Sequence, residues 1–158
     1  MQTVYYLFGT KRNVLSAVLD MTIAGDVEPV PVMDRPWIDR FTAEPNAAGA
    51  IGLLAEEAVV IVARTAPIYE VIRTAAADPE VGVLLAHNRR RRRTDQRRLV
   101  EMLADAGHLR PGLDVATASD VFYAVMNEEV FELLVTDCGW DVERFRRWAT
   151  SLMIQQLL

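Results

Sequence analysis

The sequence predicts an all-α fold, on three observations. Alanine and leucine are abundant, long segments contain neither glycine nor proline, and apolar residues recur at intervals of three and four instead of alternating. The chain has 158 residues, of which 51% are hydrophobic, so it is large enough to bury one sizeable core. We expect one helical domain with a short helical segment in front of it.

The N-terminal segment is predicted to form two helices. The first covers residues 3–8 and ends at Gly9, because glycine tolerates the left-handed conformation found at helix ends. The second begins at Thr10, a capping residue, and continues to Ile23 with apolar residues at helical spacing.

A domain boundary is predicted to follow the second helix. The stretch 25–32 and the later Pro36 cannot sustain a helix, since proline lacks a backbone donor and restricts the residue before it. We therefore divide the chain into residues 1–23 and residues 24–158.

Capping residues and prolines predict the next three helices. Asn46 is expected to cap a helix that ends near Ala66, and Pro67 suits the first turn of a separate helix over 67–77. Asp78 repeats the pattern, because it precedes Pro79 and a long helical stretch over 79–107.

Two further helices are predicted at the C-terminal end. Asp114 caps a helix over 115–136, Gly139 ends it, and Asp141 caps the last helix over 142–158. The short turn between these two helices predicts that they pack as antiparallel neighbours.

Charge and cysteine content exclude some classes of protein. A net charge of −5 argues against a general nucleic-acid coat protein but leaves room for a site-specific DNA-binding protein. Cys138 is the single cysteine, so no intrachain disulfide can form and the cytoplasm is the expected location. No uncharged apolar run is long enough to cross a membrane, and the start lacks the features of a secretion signal.

Catalytic and metal-binding patterns are not found in the sequence. His87 and His108 have no metal-ligand spacing with each other or with Cys138, and no serine has a neighbouring base. We expect no metal, no other cofactor and no enzymatic activity. Five glutamates lack the Glu-x-x-His pairing of helical metal clusters and are interpreted as charges on helix surfaces: Glu56, Glu57, Glu128, Glu129 and Glu132.

A run of arginines over 89–93 stands in the long predicted helix, with Arg97 and Arg98 after it. Five consecutive helical residues sweep through more than one turn, so they cannot form a single basic patch. Asn88, Arg92 and Asp95 share the apolar face, and Arg91 lies at its edge. Three arginines lie on the opposite, solvent-facing side: Arg90, Arg93 and Arg97.

The inward-facing Arg92 needs a partner, because an unpaired buried guanidinium is costly. Asp95 is the near candidate, three residues away on the same helix. One interpretation is an internal ion pair. The other is that Asn88, Arg92 and Asp95 line a cavity for a ligand that carries a carboxylate, phosphate or polar carbonyl beside an apolar body.

The start of the chain resembles a known DNA-binding motif. Thr3-Val4-Tyr5-Tyr6, Phe8-Gly9 and Lys11 are similar to the recognition helix and following linker helix of the TetR-type (tetracycline-repressor) family. The segments Leu109–Gly112 and Gly139–Asp141, followed by Trp148, look like the regulatory domain of actinobacterial members. An ordinary helical pair with Tyr5, Tyr6 and Phe8 as core aromatics is the alternative.

The resemblance implies a division of roles. Residues 1–23 would be the second half of a helix-turn-helix, with the first helices absent, and residues 24–158 a ligand-binding and dimerisation domain. In such a motif the second helix enters the major groove. By position, Gln2, Thr3 and Tyr6 would contact base edges or nearby phosphates, and Tyr5 and Lys11 the DNA backbone.

A ligand cavity is expected between the helices that begin at Asn46, Pro67, Pro79 and Asp114. The resemblance and the apolar faces of these helices together indicate nine lining residues: Leu54, Ala58, Ile61, Tyr69, Ile72, Leu85, Asn88, Arg92 and Phe122.

The last two predicted helices have apolar arcs too wide for one buried face, which favours a twofold contact with a second copy. The alternative is that one subunit covers both faces. Six residues are predicted at the homodimer interface: Val121, Val125, Phe131, Phe145, Trp148 and Leu152.

These expectations combine into a ligand-responsive transcriptional repressor that binds operator DNA as a homodimer and senses a small-molecule effector, with no membrane association. A small-molecule-binding or interaction protein without a DNA role is the alternative. A small helical enzyme is disfavoured by the missing acid–base pairs.

Overall fold

The computed structural model describes residues 9–26 and 30–158 of the chain. The described residues form helices and connecting turns with no β-strand among them, so the predicted all-α class is confirmed. The helix predicted over residues 3–8 lies outside this part of the chain. So do four of the five predicted DNA contacts: Gln2, Thr3, Tyr5 and Tyr6.

The first described helix, α1, spans Lys11–Ala24 and agrees with the prediction. The Thr10 hydroxyl accepts a hydrogen bond from the Asn13 backbone N–H at 3.2 Å, which caps the helix start. Gly25 ends the helix with a φ of 83°, and its N–H donates to the Met21 carbonyl.

A short helix, α2, spans Pro36–Ala43, where the prediction of non-helical chain around Pro36 was wrong. Pro36 occupies the first helical turn, where its missing N–H costs nothing. Trp37, Ile38 and Phe41 are buried on one face of α2, and the Trp37 Nε1–H donates to the Val32 carbonyl at 3.2 Å. The burial of this face, which depends on the rest of the fold, stabilises the helix.

The helix α3 spans Ala47–Thr74 without interruption, so the predicted division at Pro67 was wrong. The Asn46 side chain caps it by accepting from the Gly49 N–H at 2.9 Å. A proline inside a helix costs about 3 kcal/mol. Tyr69 and Ile72 continue the buried face beyond Pro67, and full burial of an apolar side chain contributes ~1.5–3 kcal/mol, which offsets that cost.

The long helix α4 spans Pro79–Asp105 and begins as predicted. The Asp78 carboxylate accepts from the Glu80 N–H at 2.9 Å, and Pro79 occupies the first turn. A 3₁₀ turn over Ala75–Ala77 connects α4 to α3.

Three elements replace the two helices predicted at the C-terminal end. The helix α5 spans Val115–Val125, and α6 spans Glu128–Phe131 and continues as a π-helical segment over Glu132–Asp137. The last helix, α7, spans Val142–Leu157.

The predicted single helix over 115–136 was wrong because the chain leaves the helical conformation at Met126, with φ −92° and ψ 61°. Asn127 then caps α6 by accepting from the Glu129 N–H at 2.8 Å. Asp114 and Asp141 cap α5 and α7 as predicted.

The helices enclose two apolar clusters. The larger one joins α2–α7 and includes Ile51, Leu54, Val100, Phe122 and Phe145. The smaller one joins α1, α3 and α4 through six buried residues: Leu19, Tyr69, Ile72, Val81, Leu84 and Leu85. Both long helices belong to both clusters, and α4 carries Asn88, Arg92 and Gln96 between them, which leaves a polar gap between the clusters on this helix. Within the described residues, none of the helices combines the length and apolarity needed to cross a bilayer.

Candidate ligand-binding cavity

A cavity lies in this polar gap between the two apolar clusters. The space open to the centres of water-sized molecules is about 110 Å³. One water needs roughly 10–15 Å³ on this scale, so the cavity has room for several waters or one small organic molecule. Most of its lining is apolar: Ile23, Val32, Met33, Trp37, Leu54, Ala58, Ile61, Val62, Leu99, Phe122 and Met126.

The helix α4 supplies most of the polar lining. Asn88, Arg92 and Gln96 stand four residues apart, which places them on one face of a helix. Asn88 and Gln96 are only 6% and 8% exposed. Asn88 and Arg92 face inward as predicted, whereas the side chains of Asp95 and Arg91 line the cavity but are 42% and 41% exposed.

Arg92 forms an ion pair with Glu128 of α6, and the predicted partner Asp95 was wrong. Asp95 lies nearer to Arg98, at 3.9 Å. The Arg92 guanidinium also lies over the Tyr123 ring, 4.6 Å from its centroid, which is cation–π geometry. These contacts come from α5 and α6, so the sequence of α4 alone could not indicate them.

Glu128 is buried at 5% exposure, so its interpretation as a surface charge was wrong. The Thr65 hydroxyl of α3 donates to Glu128 Oε1 at 3.2 Å, and Arg92 pairs with the other oxygen. Glu128 therefore joins three helices at the cavity. Asn127 directly before it is a strong capping residue and is the sequence signal that could have indicated the break.

Two buried polar groups of the cavity have unused hydrogen-bonding capacity. Nε and Nη2 of Arg92 have no hydrogen-bond partner among the described residues, and neither does Oε1 of Gln96. Buried polar atoms are normally paired with protein, water or ligand. The cavity therefore presents N–H donors and a carbonyl acceptor to an occupant.

Three other arginines of the run, Arg89, Arg91 and Arg93, are paired at the protein surface. Arg91 pairs with Asp20 of α1 at 2.8 Å. Arg89 donates to the Tyr69 hydroxyl at 2.9 Å, and this hydrogen bond raises the pKa of Arg89. The expected solvent-facing arginines, Arg90, Arg93 and Arg97, are exposed as predicted.

Six of the nine predicted lining residues surround this cavity: Leu54, Ala58, Ile61, Asn88, Arg92 and Phe122. Tyr69, Ile72 and Leu85 do not, because they lie in the smaller apolar cluster beyond the polar gap. Tyr69 lies beside Arg92, with its ring centroid 5.9 Å from the guanidinium carbon. Sequence reasoning missed several lining residues, chiefly Ile23, Trp37, Thr65, Gln96 and Glu128.

The cavity is in direct contact with α1. Ile23 lines it, and the Ile23 carbonyl accepts a hydrogen bond from Arg64 Nη2 of α3 at 3.2 Å. The ion pair of Arg91 with Asp20 links α4 to α1 as well. Lys11, the described member of the predicted DNA contacts, is exposed at the start of α1.

The predicted dimer residues divide into two groups. Val125, Phe131 and Phe145 are buried within the single chain, which leaves their side chains little surface for a partner. Val121, Trp148 and Leu152 are only partly buried.

Comparisons with known protein families, with curated proteins and with solved structures found nothing that matches this chain.

Proposed function

We propose that this protein is a cytoplasmic, ligand-responsive transcriptional repressor of the TetR type, which senses a small-molecule effector in the cavity and binds operator DNA as a homodimer. The observation that carries the proposal is that Ile23 of α1 lines the cavity. The chain segment before α1 resembles a DNA-recognition helix, so a cavity that reaches α1 couples a ligand site to the DNA-reading end.

The coupling works through the contacts that hold the end of α1. Arg64 donates to the Ile23 carbonyl, and Arg91 pairs with Asp20. A ligand that fits the cavity better in one position of Ile23 favours that position of α1, and in a dimer this changes the spacing of two DNA-reading heads. The difference in ligand affinity between the two positions of α1 limits how far the ligand can shift their populations, and such coupling free energies are typically ~1–3 kcal/mol.

DNA binding is tested with the protein expressed from the complete gene. An electrophoretic mobility shift assay with DNA from upstream of that gene is expected to show a complex that a cavity ligand weakens. If the protein binds no such DNA even at high protein concentration and low salt, the repressor role is excluded.

The homodimer is proposed to form through α6 and α7. Leu133 in the π-helical segment is 53% exposed, and Val142 at the start of α7 is 43% exposed. Large apolar side chains that remain exposed on one chain are suited to a second copy. Leu133→Asp is expected to convert a dimer to a monomer in sedimentation velocity. Val83→Asp, at a 55% exposed position of α4, is the matched control and is expected to leave the dimer intact.

A ligand-binding protein without a DNA role is the second candidate, and the unpartnered atoms of Arg92 and Gln96 favour it equally. Only the mobility shift assay distinguishes the two candidate functions. Ligand binding by a protein that never shifts DNA would support the second candidate over the first.

A further inference from the structure

The charged groups that line the cavity cancel one another. Among the described residues, those groups are Arg91, Arg92, Asp95 and Glu128. Arg92 pairs with Glu128 inside the cavity, whereas Arg91 and Asp95 have outward partners, Asp20 at 2.8 Å and Arg98 at 3.9 Å. The lining therefore carries two positive and two negative charges, each with an opposite charge beside it.

An anionic ligand would disturb this balance. To pair with Arg92 fully it would have to displace Glu128, which is 5% exposed and would be left as a buried, uncompensated carboxylate. Without displacement, the anion would be brought close to the Glu128 carboxylate. A cation would meet the same difficulty at Arg92.

The unused hydrogen-bonding capacity is nevertheless substantial. Arg92 Nε and Nη2 offer N–H donors, and Gln96 Oε1 offers an acceptor on a side chain that is more than nine-tenths buried. Both side chains project from one face of α4, one helical turn apart. A polar group with one acceptor and one donor matches both.

We propose that the cavity binds an uncharged, mainly apolar small molecule of about six or seven non-hydrogen atoms, whose single polar end both accepts and donates hydrogen bonds. A primary amide represents this class: its carbonyl accepts from Arg92 and its N–H donates to Gln96. The apolar body contacts the side chains supplied by α2, α3 and α5, such as Trp37, Leu54 and Phe122. This inference rests on the proposed function, because it takes the cavity to be the effector site.

The test compares an amide with the acid of equal size. Pentanamide and pentanoate each have about seven non-hydrogen atoms, as do 2-methylbutanamide and 2-methylbutanoate, and the members of each pair differ only in charge and donor capacity. In isothermal titration calorimetry at pH 7, each amide is expected to bind the full chain at least about tenfold more tightly than its acid.

Removal of the negative charge of Glu128 is expected to reverse the preference. Glu128→Gln leaves Arg92 uncompensated, so each carboxylate should now bind at least about tenfold more tightly than its amide. Glu129→Gln is the matched control, because Glu129 is the next residue of α6 and pairs with Arg89 at the surface. It is expected to keep the preference for amides.

Gln96→Leu provides a second variant that keeps the ion pair. It removes the acceptor, so the affinity for pentanamide is expected to fall about tenfold, while the affinity for hexane, an apolar probe of similar length, does not fall. Circular dichroism confirms that each variant is folded.

The possible outcomes separate this inference from the proposed function. Tighter binding of the acids by the unmodified chain overturns the neutral-ligand inference and leaves effector sensing standing. Binding of none of the probes, hexane included, overturns the cavity as an effector site and the inference with it. Retention of the amide preference in Glu128→Gln overturns the role of charge compensation.

Discussion

Arg92 of α4 and Glu128 of α6 form a buried ion pair beside the cavity. Glu128 reaches Arg92 from the first turn of α6, which exists because the chain breaks at Met126 and restarts at the Asn127 cap. The pair therefore ties the α5–α6 break to the lining of the cavity. Its loss should affect both stability and ligand preference.

Removal of one partner of this pair is expected to destabilise the protein strongly. Arg92→Met leaves Glu128 buried without its counter-charge, and we expect the free energy of unfolding to fall by about 3 kcal/mol or more. In the double variant Arg92→Met, Glu128→Leu no charge is left behind, so most of that loss should be recovered. Urea unfolding followed by circular dichroism measures both.

The control for this comparison of single and double variants is Arg97→Met. Arg97 pairs with Glu101 at 2.9 Å on the exposed face of the same helix, where a pair contributes only about 0.5 kcal/mol. The buried-pair assignment would be contradicted if the free energy of unfolding of the double variant fell by the full sum of the losses measured for Arg92→Met and Glu128→Leu alone.

Pro67→Ala is expected to stabilise the protein. Pro67 lies inside α3 and is exposed, so alanine would restore the missing N–H donor without disturbing the core. Because an interior proline costs about 3 kcal/mol, a gain of about 1–3 kcal/mol in unfolding free energy is expected. Pro79→Ala is the matched control at a first-turn position and should give no gain. Equal effects at the two prolines would count against a continuous α3.

Local rules account for the elements that could be predicted from sequence. Thr10, Asn46, Asp78, Asp114 and Asp141 each cap the helix expected of them, because capping depends on a side chain and the backbone two or three residues away. Helical periodicity also predicted the inward face of Asn88 and Arg92, since it needs only the geometry of α4.

The errors came from contacts between distant parts of the chain. Pro67 stays helical because Tyr69 and Ile72 beyond it are buried against other helices. Glu128 is a cavity residue because the break at Met126 turns it towards Arg92. Glu128 lies on another helix, so the partner of Arg92 could not be identified from the sequence of α4.

The α5 cap is expected to weaken at low pH. The Thr117 backbone N–H donates to the Asp114 carboxylate at 2.9 Å and the Thr117 hydroxyl donates at 2.8 Å, which lowers the Asp114 pKa below its ordinary value of 3.8. A lowered pKa means that the unfolded state binds the proton more tightly. The stabilisation is therefore complete above about pH 4 and is lost as pH falls through the folded pKa.

Asp114→Asn tests this pH dependence, since asparagine also caps but does not titrate. The unfolding free energy of the unmodified protein minus that of the variant should decrease from pH 5 towards about pH 2. A difference that stays constant over this range would show that the carboxylate contributes nothing through ionisation.

Gly25→Ala is expected to weaken the link between α1 and α3 at the cavity. Gly25 has a φ of +83°, and a Cβ there would collide with the guanidinium of Arg64, which donates to the Ile23 carbonyl. Gly112→Ala is the matched control, because Gly112 has a φ of +84° and no atom near the new Cβ. Both variants should lose about 1 kcal/mol of unfolding free energy, because alanine is disfavoured in the left-handed conformation. Gly25→Ala should lose about 1 kcal/mol more, because it displaces the hydrogen bond from Arg64 to the Ile23 carbonyl. In an Arg64→Met background that extra loss should vanish, and its persistence would show that Arg64 does not hold the end of α1.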